Sequence, residues 1–512
     1  MAGAGRMEVS RAAAILTGAG MVEFGLQFLL PVILVRHLDS ASFGQYRLLI
    51  LVMGTALAIV PAFMPQSLYY FLPRAAADHK LMVIGNVALY LAMMGCLVAL
   101  LTSPANPLLG GLLQGLFSAT HGLSALFLGL AMLVSIGTTL AIAEGRIVWH
   151  CATDLVLALV RTAMIALAAF KTHQIAWVAA ALVADAVLRL LVMGAYLLTR
   201  AGGARLRCGA GSLLVQLRFA APFALGASLF GLRVQADQWI AAASMPAAAF
   251  AAFTIGVVVL PVASLIRQPI NNALLPHLNT EFAAGNRHGA GRLLRQASAA
   301  ATVLLLPLAG ILFVLAPQIV ALVYTERYLA AIPVMRCYLV LVMMQSFAIG
   351  YAMPALNMGG RALQINLGAL VLSVACSMAG VRWFGLAGAA LGSVLAFGLS
   401  ELINIRYVAR VLGIPWRALF PLRLLGTTVG AHAAGMLLAG LFGPDAGADP
   451  WAAMGIKLAW YGGAGLSLFV LAGGVAELRR ALGQGTAGAG ADAGAQRDAR
   501  LAAAPGAWER TR

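Results

Sequence analysis

The stretch from Phe219 to Met245, FAAPFALGASLFGLRVQADQWIAAASM, decides the class of this protein. It is long enough to cross a bilayer, because about 20 apolar residues span a hydrocarbon core roughly 30 Å thick. Its second half nevertheless carries four polar side chains, Arg233, Gln235, Asp237 and Gln238. A charge at that depth costs on the order of 3 kcal/mol. We therefore expect the polar side of this helix to face protein or a water-filled cavity, and not lipid.

The composition indicates an all-α polytopic membrane protein. The 512 residues are 62% hydrophobic and 10% charged, whereas soluble domains carry about 25% charged residues. The net charge of +17 does not predict nucleic-acid binding, because the basic residues are dispersed through short loops. The five cysteines show no CxxC spacing, so no disulfide framework or zinc site is predicted. The sequence also lacks a nucleophile–base pair and a P-loop, and we expect neither an enzyme, nor ATP coupling, nor a cofactor.

The apolar runs predict about 14 transmembrane helices, six before a basic loop at 200–218 and eight after it. The expected spans lie at about 13–35, 48–70, 82–103, 112–139, 152–170, 175–199, 219–243, 248–267, 298–323, 333–356, 363–381, 386–405, 424–443 and 452–476. Of the 34 Lys and Arg residues, 24 then fall on the side of the N-terminus and 5 in the opposite loops. By the positive-inside rule, this asymmetry places both termini in the cytoplasm. The expected organisation is a six-helix lobe (1–199), a basic linker (200–218), a second six-helix lobe (219–410), two additional transmembrane helices (411–476) and a disordered cytoplasmic tail (477–512).

A weak internal echo suggests that the two lobes are parallel repeats. The second span ends in MPQSLYYFLPR (Met64 to Arg74), and the eighth ends in LIRQPINNALLPHL (Leu265 to Leu278). Both ends are polar, interrupted by proline and closed by a Leu-Pro pair. Transporters commonly combine such repeats with a substrate site at the interface between them.

Acidic residues within the spans differ in whether a local partner is available. Asp185 precedes Arg189 by four residues, which predicts a structural pair on one helix face. Arg233 and Asp237 have the same spacing, and the nearby glutamines add more polarity than one pair requires, which favours a functional role. Glu23 lies near the middle of the first span and has no basic residue on its own helix with which to pair. Two interpretations of Glu23 stay open, a proton or cation site and a partner of Arg233.

The segment LLPVILVRHLDSASFGQYRLLI (Leu29 to Ile50) resembles the exit of the first span in lipopolysaccharide and exopolysaccharide flippases. These O-antigen and polysaccharide flippases form a branch of the multidrug/oligosaccharidyl-lipid/polysaccharide exporter superfamily. The resemblance implies two six-helix lobes plus two C-terminal helices, which alternate between inward and outward openings. It also implies a substrate, a polyprenyl-pyrophosphate-linked oligosaccharide, that crosses the bacterial inner membrane. The implied partners are this lipid-linked oligosaccharide, membrane lipids, and polysaccharide polymerase and chain-length machinery.

In that family the cavity is lined mainly by spans one, two, seven and eight. The matching polar residues of this chain are Glu23, Gln27, Gln66, Tyr69, Tyr70, Arg74, Arg233, Asp237, Arg267, Gln268, Asn271 and Asn272. We expect Arg74 and Arg267 to clamp pyrophosphate, because arginine offers bidentate phosphate contacts. The remaining roles follow from side-chain chemistry: sugar binding by Tyr69, Tyr70, Asn271 and Asn272, a mid-cavity switch by Arg233 and Asp237, and ion coupling by Glu23 and Asp237.

Two alternatives stay open at this point. A cation-coupled multidrug antiporter of the same fold would use Glu23 and Asp237 as its ion site. A membrane-embedded polysaccharide polymerase or acyltransferase is disfavoured, because the external loops are short and no catalytic cluster is present.

Overall fold

The computed structural model describes residues 2–106, 120–201, 207–444 and 449–482. Over these ranges the regular structure is helical throughout, which confirms the predicted all-α class. The α-helices are α1 (Ala2–His37), α2 (Ser40–Ile59), α3 (Met64–Phe71), α4 (Ala77–Thr102), α5 (His121–Val134), α6 (Gly137–Ala143), α7 (Ile147–Thr172), α8 (Ile175–Ala201), α9 (Ala210–Ser244), α10 (Ala247–Val257), α11 (Val259–Ala283), α12 (Arg287–Ile319), α13 (Ile332–Met344), α14 (Gly359–Leu412), α15 (Leu422–Phe442), α16 (Pro450–Leu471) and α17 (474–482).

Within the described residues, 13 helices are long and apolar enough to cross a membrane. One of them, α14, is 54 residues long and contains two segments that meet at Gly385, which has a φ of 59°. The hydroxyl of Ser377 donates to the carbonyl of Ala389, and the hydroxyls of Ser373 and Ser393 lie 3.1 Å apart, so the two segments form an antiparallel hairpin. They correspond to the spans expected at 363–381 and 386–405. The protein is therefore a multi-pass membrane protein with about the predicted number of crossings.

The chain forms two compact units. Unit 1 comprises Met1–Val258, Ile319–Cys337 and Asn366–Phe397, and unit 2 comprises Val259–Gln318, Tyr338–Ile365 and Gly398–Arg512. The lobe boundaries expected from the sequence stay a prediction. Part of the linker at 200–218, the start of the fourth expected span and almost all of the expected disordered tail lie outside the described residues.

Small residues allow the helices of unit 1 to approach closely. Helix α1 packs against α7, α4 against α5, and α2 against both α9 and α10. Gly95 on α4 faces Gly129 on α5, and a Cβ on either glycine would crowd the backbone carbonyl of the other. Gly44 on α2 similarly approaches the backbone of Ala247. Such contacts are typical of membrane helices, whose association depends on close packing more than on the hydrophobic effect.

The second span is interrupted between α2 and α3. Ala62 and Phe63 both have left-handed backbone angles, with φ values of 47° and 62°. Two side chains satisfy carbonyls that the interruption leaves without helical partners. The hydroxyl of Tyr90 donates to the carbonyl of Val60 at 2.9 Å, and that of Ser228 donates to the carbonyl of Ala58 at 3.0 Å. A break inside the bilayer is tolerated when its backbone groups are satisfied in this way.

Unit 2 contains α11, α12 up to Gln318, the two ends of α14 (359–365 and 398–412), and the helices α15 to α17. Helix α11 continues past Pro269 and Pro276, so the proline-rich end of the eighth span is not interrupted as that of the second span is. Helices α15 and α16 form a hairpin in which Gly435 lies against the backbone of Tyr461. The hydroxyl of Tyr461 contacts His432 Nδ1 at 2.9 Å and donates to the carbonyl of Pro307 on α12 at 3.0 Å. These hydrogen bonds attach the C-terminal hairpin to α12.

Candidate substrate-binding site

An exposed tyrosine–arginine surface lies at the end of the interrupted second span. Tyr69 and Tyr70 lie in the last turn of α3 and are 44% and 43% exposed. Arg74 Nη1 donates to the carbonyl of Tyr70 at 2.8 Å, and the guanidinium lies 4.0 Å from the centroid of the Tyr70 ring. The Tyr70 ring covers one face of the guanidinium, and the Tyr70 carbonyl accepts one of its N–H groups. Arg74 is nevertheless an exposed residue. A cationic guanidinium is thereby held against the ring of Tyr70, and the neighbouring Tyr69 is a second exposed phenol.

A row of aromatic rings continues this surface along unit 1. Tyr70 stacks on Phe219 of α9 at 4.6 Å between ring centroids, Phe219 contacts Phe223 at 5.4 Å, and Phe223 stacks on Phe63 at 5.3 Å. Phe223 is 50% exposed, so the row is a surface and is not buried in the core. The left-handed conformation of Phe63 places its ring at the end of the row. The interruption of the second span and the aromatic row are thus parts of one local structure.

The polar half of α9, predicted from the sequence, packs against α2. Thr55 donates to Oε1 of Gln235 at 2.7 Å and accepts a hydrogen bond from the indole of Trp239 at 2.8 Å. Asp237 is 2% exposed, and its Oδ1 accepts the backbone N–H of Gln238 at 2.7 Å. The guanidinium of Arg233 lies 5.5 Å from the Phe230 ring. Protein therefore surrounds most of this polar segment, in agreement with the high cost of exposing it to lipid.

Glu23 lies on α1 and is partly exposed, and its Oε1 accepts a hydrogen bond from Gln27 at 3.1 Å. Gln27 is one helical turn further along and is exposed. The structure thus shows a local polar pair on the first span. Coupling between Glu23 and Arg233 remains a hypothesis.

Three charged residues form a network inside unit 1. Arg189 Nε donates to Asp185 at 3.1 Å on the same helix, and Arg189 Nη1 donates to Asp154 of α7 at 2.8 Å. The side chains of Asp185 and Arg189 are only 6% and 14% exposed. The local pair predicted from the sequence is present, and Asp154 is a second partner that the sequence spacing does not reveal. The network joins α7 to α8.

Arg267 occupies a buried position in unit 2 and is only 6% exposed. Its Nη2 donates to the carbonyl of Ala348, and its guanidinium lies 4.6 Å from the centroid of the Tyr351 ring. Glu401 accepts the backbone N–H groups of Ile349 and Gly350, at 2.8 and 3.1 Å. Arg267 and Glu401 together hold the irregular segment between α13 and α14, where the chain has many backbone groups outside regular helix.

The other predicted residues of α11 differ in exposure. Gln268 and Asn272 are exposed, and Asn271 is partly exposed with a buried Oδ1 that has no hydrogen-bond partner in the described chain. Sequence reasoning missed Tyr351, which contacts Arg267, and the aromatic residues Phe63, Phe219 and Phe223. The available signal was the four-residue spacing of Phe219 and Phe223, which places both rings on one face of α9.

The arrangement of helices can be compared with solved structures. A lipid II flippase MurJ in an inward closed conformation is similar over 91% of this chain and 99% of its own, with a TM-score of 0.67 and 11% identity. This chain shares the helical fold of that flippase. An inward-facing multidrug resistance MATE family transporter of the MOP superfamily matches 76% of this chain and 94% of its own, with a TM-score of 0.60 and 13% identity.

A further transporter of this fold is the MOP-superfamily protein from Pyrococcus furiosus, for which a binding pocket of reversed polarity is described. It matches 78% of this chain and 95% of its own, with a TM-score of 0.54 and 13% identity. No protein-family model and no curated protein matches the sequence. The structural similarity confirms the predicted helical architecture, and substrate must be argued from the residues of this chain.

Proposed function

We propose that the protein is a flippase that moves a polyprenyl-pyrophosphate-linked oligosaccharide across the bacterial inner membrane by alternating access. The product would serve the synthesis of a cell-surface polysaccharide, either lipopolysaccharide or exopolysaccharide, together with a polymerase and chain-length machinery. Both termini lie in the cytoplasm in this proposal, in agreement with the distribution of Lys and Arg.

The observation that carries the proposal is the exposed Tyr70–Arg74 pair, with the exposed Tyr69 next to it in α3. Arginine binds phosphate oxygens through paired N–H groups, and phenol hydroxyls both donate and accept hydrogen bonds to sugar hydroxyls. The stacking of Arg74 on Tyr70 reduces the conformational freedom that a substrate would otherwise have to remove. The similarity to the lipid II flippase also extends over more of the chain than the similarity to the MATE transporter.

A cation-coupled multidrug antiporter is the second candidate. The observation that favours it is the buried carboxylate of Asp237 on α9, together with Glu23 on the first span. Acidic residues inside a membrane commonly mark ion or proton pathways. In the flippase proposal the same two carboxylates couple ion movement to the change between inward and outward openings.

Reconstitution into liposomes tests the two candidates. A labelled polyprenyl-pyrophosphoryl oligosaccharide is added to one leaflet, and its appearance in the other is followed with a membrane-impermeant glycosidase. We expect Arg74→Gln to slow transfer by about tenfold or more, because a hydrogen bond to a charged group contributes about 1.5–3 kcal/mol. Arg74→Lys should slow transfer less, since it keeps the charge and loses the bidentate geometry.

Lys171→Gln is the matched control, because Lys171 is an exposed cation of the same unit at the end of α7. Transfer by this variant should equal that of the unmodified protein. Dye exchange driven by a proton or sodium gradient, without transfer of the lipid-linked oligosaccharide, would overturn the flippase proposal in favour of the antiporter.

A further inference from the structure

A basic cavity lies in unit 2, apart from the residues assigned to the substrate. Its volume is about 350 Å³, and three chain segments line it: α12, the segment from Arg417 to the start of α15, and α17. The charged lining residues are four arginines and one glutamate, namely Arg295, Arg417, Arg423, Arg480 and Glu477. The volume is within the range of small-ligand sites, which is roughly 300–1,000 Å³.

Helix α17 forms one wall of the cavity because the chain turns sharply after α16. Gly473 has a φ of 76°, which only glycine adopts readily, and its carbonyl accepts the backbone N–H of Glu477 at 3.0 Å. Ala481 of α17 is buried in a small core with Ala299 and Leu424. The wall is therefore packed against α12 and α15, and the cavity is a built feature of the fold.

Among the described residues that line the cavity, arginines outnumber acidic residues by four to one. Glu477 pairs with Arg480 at 2.8 Å, which leaves three arginines of the lining without that carboxylate. Arg295 has a buried Nε with no hydrogen-bond partner in the part of the chain that the structure describes. Arg423 lies in the first turn of α15, which has no acidic residue and no side-chain cap. A cation in the first turn is repelled by the positive end of the helix dipole. An anion bound in the cavity would offset the charge of Arg423 and that of the helix N-terminus.

The surroundings of the cavity are those of a membrane interface. Helices α15 and α16 are candidate spans that form a hairpin, so the start of α15 and the end of α16 lie at the same side of the membrane. The cavity lies at that end. Trp416 and Leu422 beside it are 49% and 42% exposed, and the Arg417 guanidinium lies 5.6 Å from the Trp416 ring. Exposed tryptophan next to arginine is typical of the headgroup region.

From this geometry we infer that the cavity binds the phosphate of an anionic membrane phospholipid. The arginines hold the phosphate through paired N–H groups, and the exposed apolar residues Trp416 and Leu422 contact the first part of the acyl chains. Basic pockets between transmembrane helices bind anionic headgroups by this chemistry. The bound lipid fastens α17 and the α15–α16 hairpin to α12, independently of the substrate surface in unit 1.

The test measures lipid binding by the full-length protein and does not depend on transport. Native mass spectrometry counts the lipids retained when phosphatidylglycerol or phosphatidylcholine is added, and the thermal midpoint is recorded in parallel. We expect phosphatidylglycerol to bind and to raise the midpoint, and phosphatidylcholine to do neither. The Arg417→Gln/Arg423→Gln double variant should bind phosphatidylglycerol roughly 30-fold more weakly, because each arginine near an anionic headgroup contributes about fivefold.

The control double variant is Arg361→Gln/Arg479→Gln, which removes the same charge from exposed positions outside the cavity. It should bind phosphatidylglycerol as the unmodified protein does, and an equal loss in this control would overturn the inference. If millimolar inorganic phosphate raises the midpoint as much as phosphatidylglycerol does, the cavity binds a free anion and the lipid assignment is wrong. If the first double variant fails to fold, Arg480→Gln replaces it, because this side chain is 64% exposed. We then expect phosphatidylglycerol to bind about fivefold more weakly.

Discussion

The network of Asp154, Arg189 and Asp185 gives the sharpest stability prediction. Arg189→Met removes both ion pairs, at 2.8 and 3.1 Å, and leaves the carboxylate of Asp185 without its partner at a side chain only 6% exposed. Breaking a buried pair from one side costs about 3–5 kcal/mol. At about 2 °C for each kcal/mol in a large chain, the thermal midpoint should fall by roughly 6–10 °C.

The measurement is thermal unfolding in detergent, followed by size-exclusion chromatography of the heated samples. Lys171→Met is the control, because it removes an exposed cation from the same unit and should shift the midpoint by less than 1 °C, as surface substitutions usually change stability by no more than about 0.5 kcal/mol. Adding Asp185→Asn to Arg189→Met should restore part of the loss, since the buried carboxylate no longer needs a partner. Simple additivity of the two single defects would refute the reasoning, because interacting residues are not additive.

The remaining predictions concern a helix cap and a close helix contact. Asp39 caps α2 by accepting the N–H groups of Ala41 and Ser42, and its pKa lies below the ordinary value of 3.8 chiefly through a side-chain hydrogen bond from Ser42. Asp39→Ala should lower the free energy of unfolding by about 1 kcal/mol at neutral pH. The gap in unfolding free energy between the two proteins should narrow only below pH 3.8, because the carboxylate of the folded unmodified protein then becomes protonated. A gap that stays constant down to pH 2 would contradict this. Gly388→Ala should destabilise the α14 hairpin by about 1–3 kcal/mol or more, because its Cβ would overlap the Gly380 carbonyl. The control Gly368→Ala should be tolerated, since its Cβ meets open space on the same helix. Equal thermal midpoints for the two variants would contradict the prediction.

The sequence by itself determined the class of the protein and its local pairs. Apolar length is a property of each segment alone, so the spans could be placed from composition, including the two that form the α14 hairpin. The Asp185–Arg189 pair was equally local, because residues four apart share one face of any α-helix. The polar half of α9 indicated a side turned away from lipid, and the structure packs Gln235 and Trp239 there against Thr55.

Tertiary structure alone decided which distant groups meet. Asp154 reaches Arg189 across 35 residues of sequence, and Arg267 reaches the Ala348 carbonyl across 81. Neither contact follows from spacing, because it depends on how α7 lies against α8 and on how the irregular segment after α13 returns to α11. The packing also decides the environment of Arg267, which we expected from the sequence to clamp pyrophosphate and which the fold buries beside Tyr351. The basic cavity has the same origin, since its arginines come from three segments that only the packing of α12, α15 and α17 brings together.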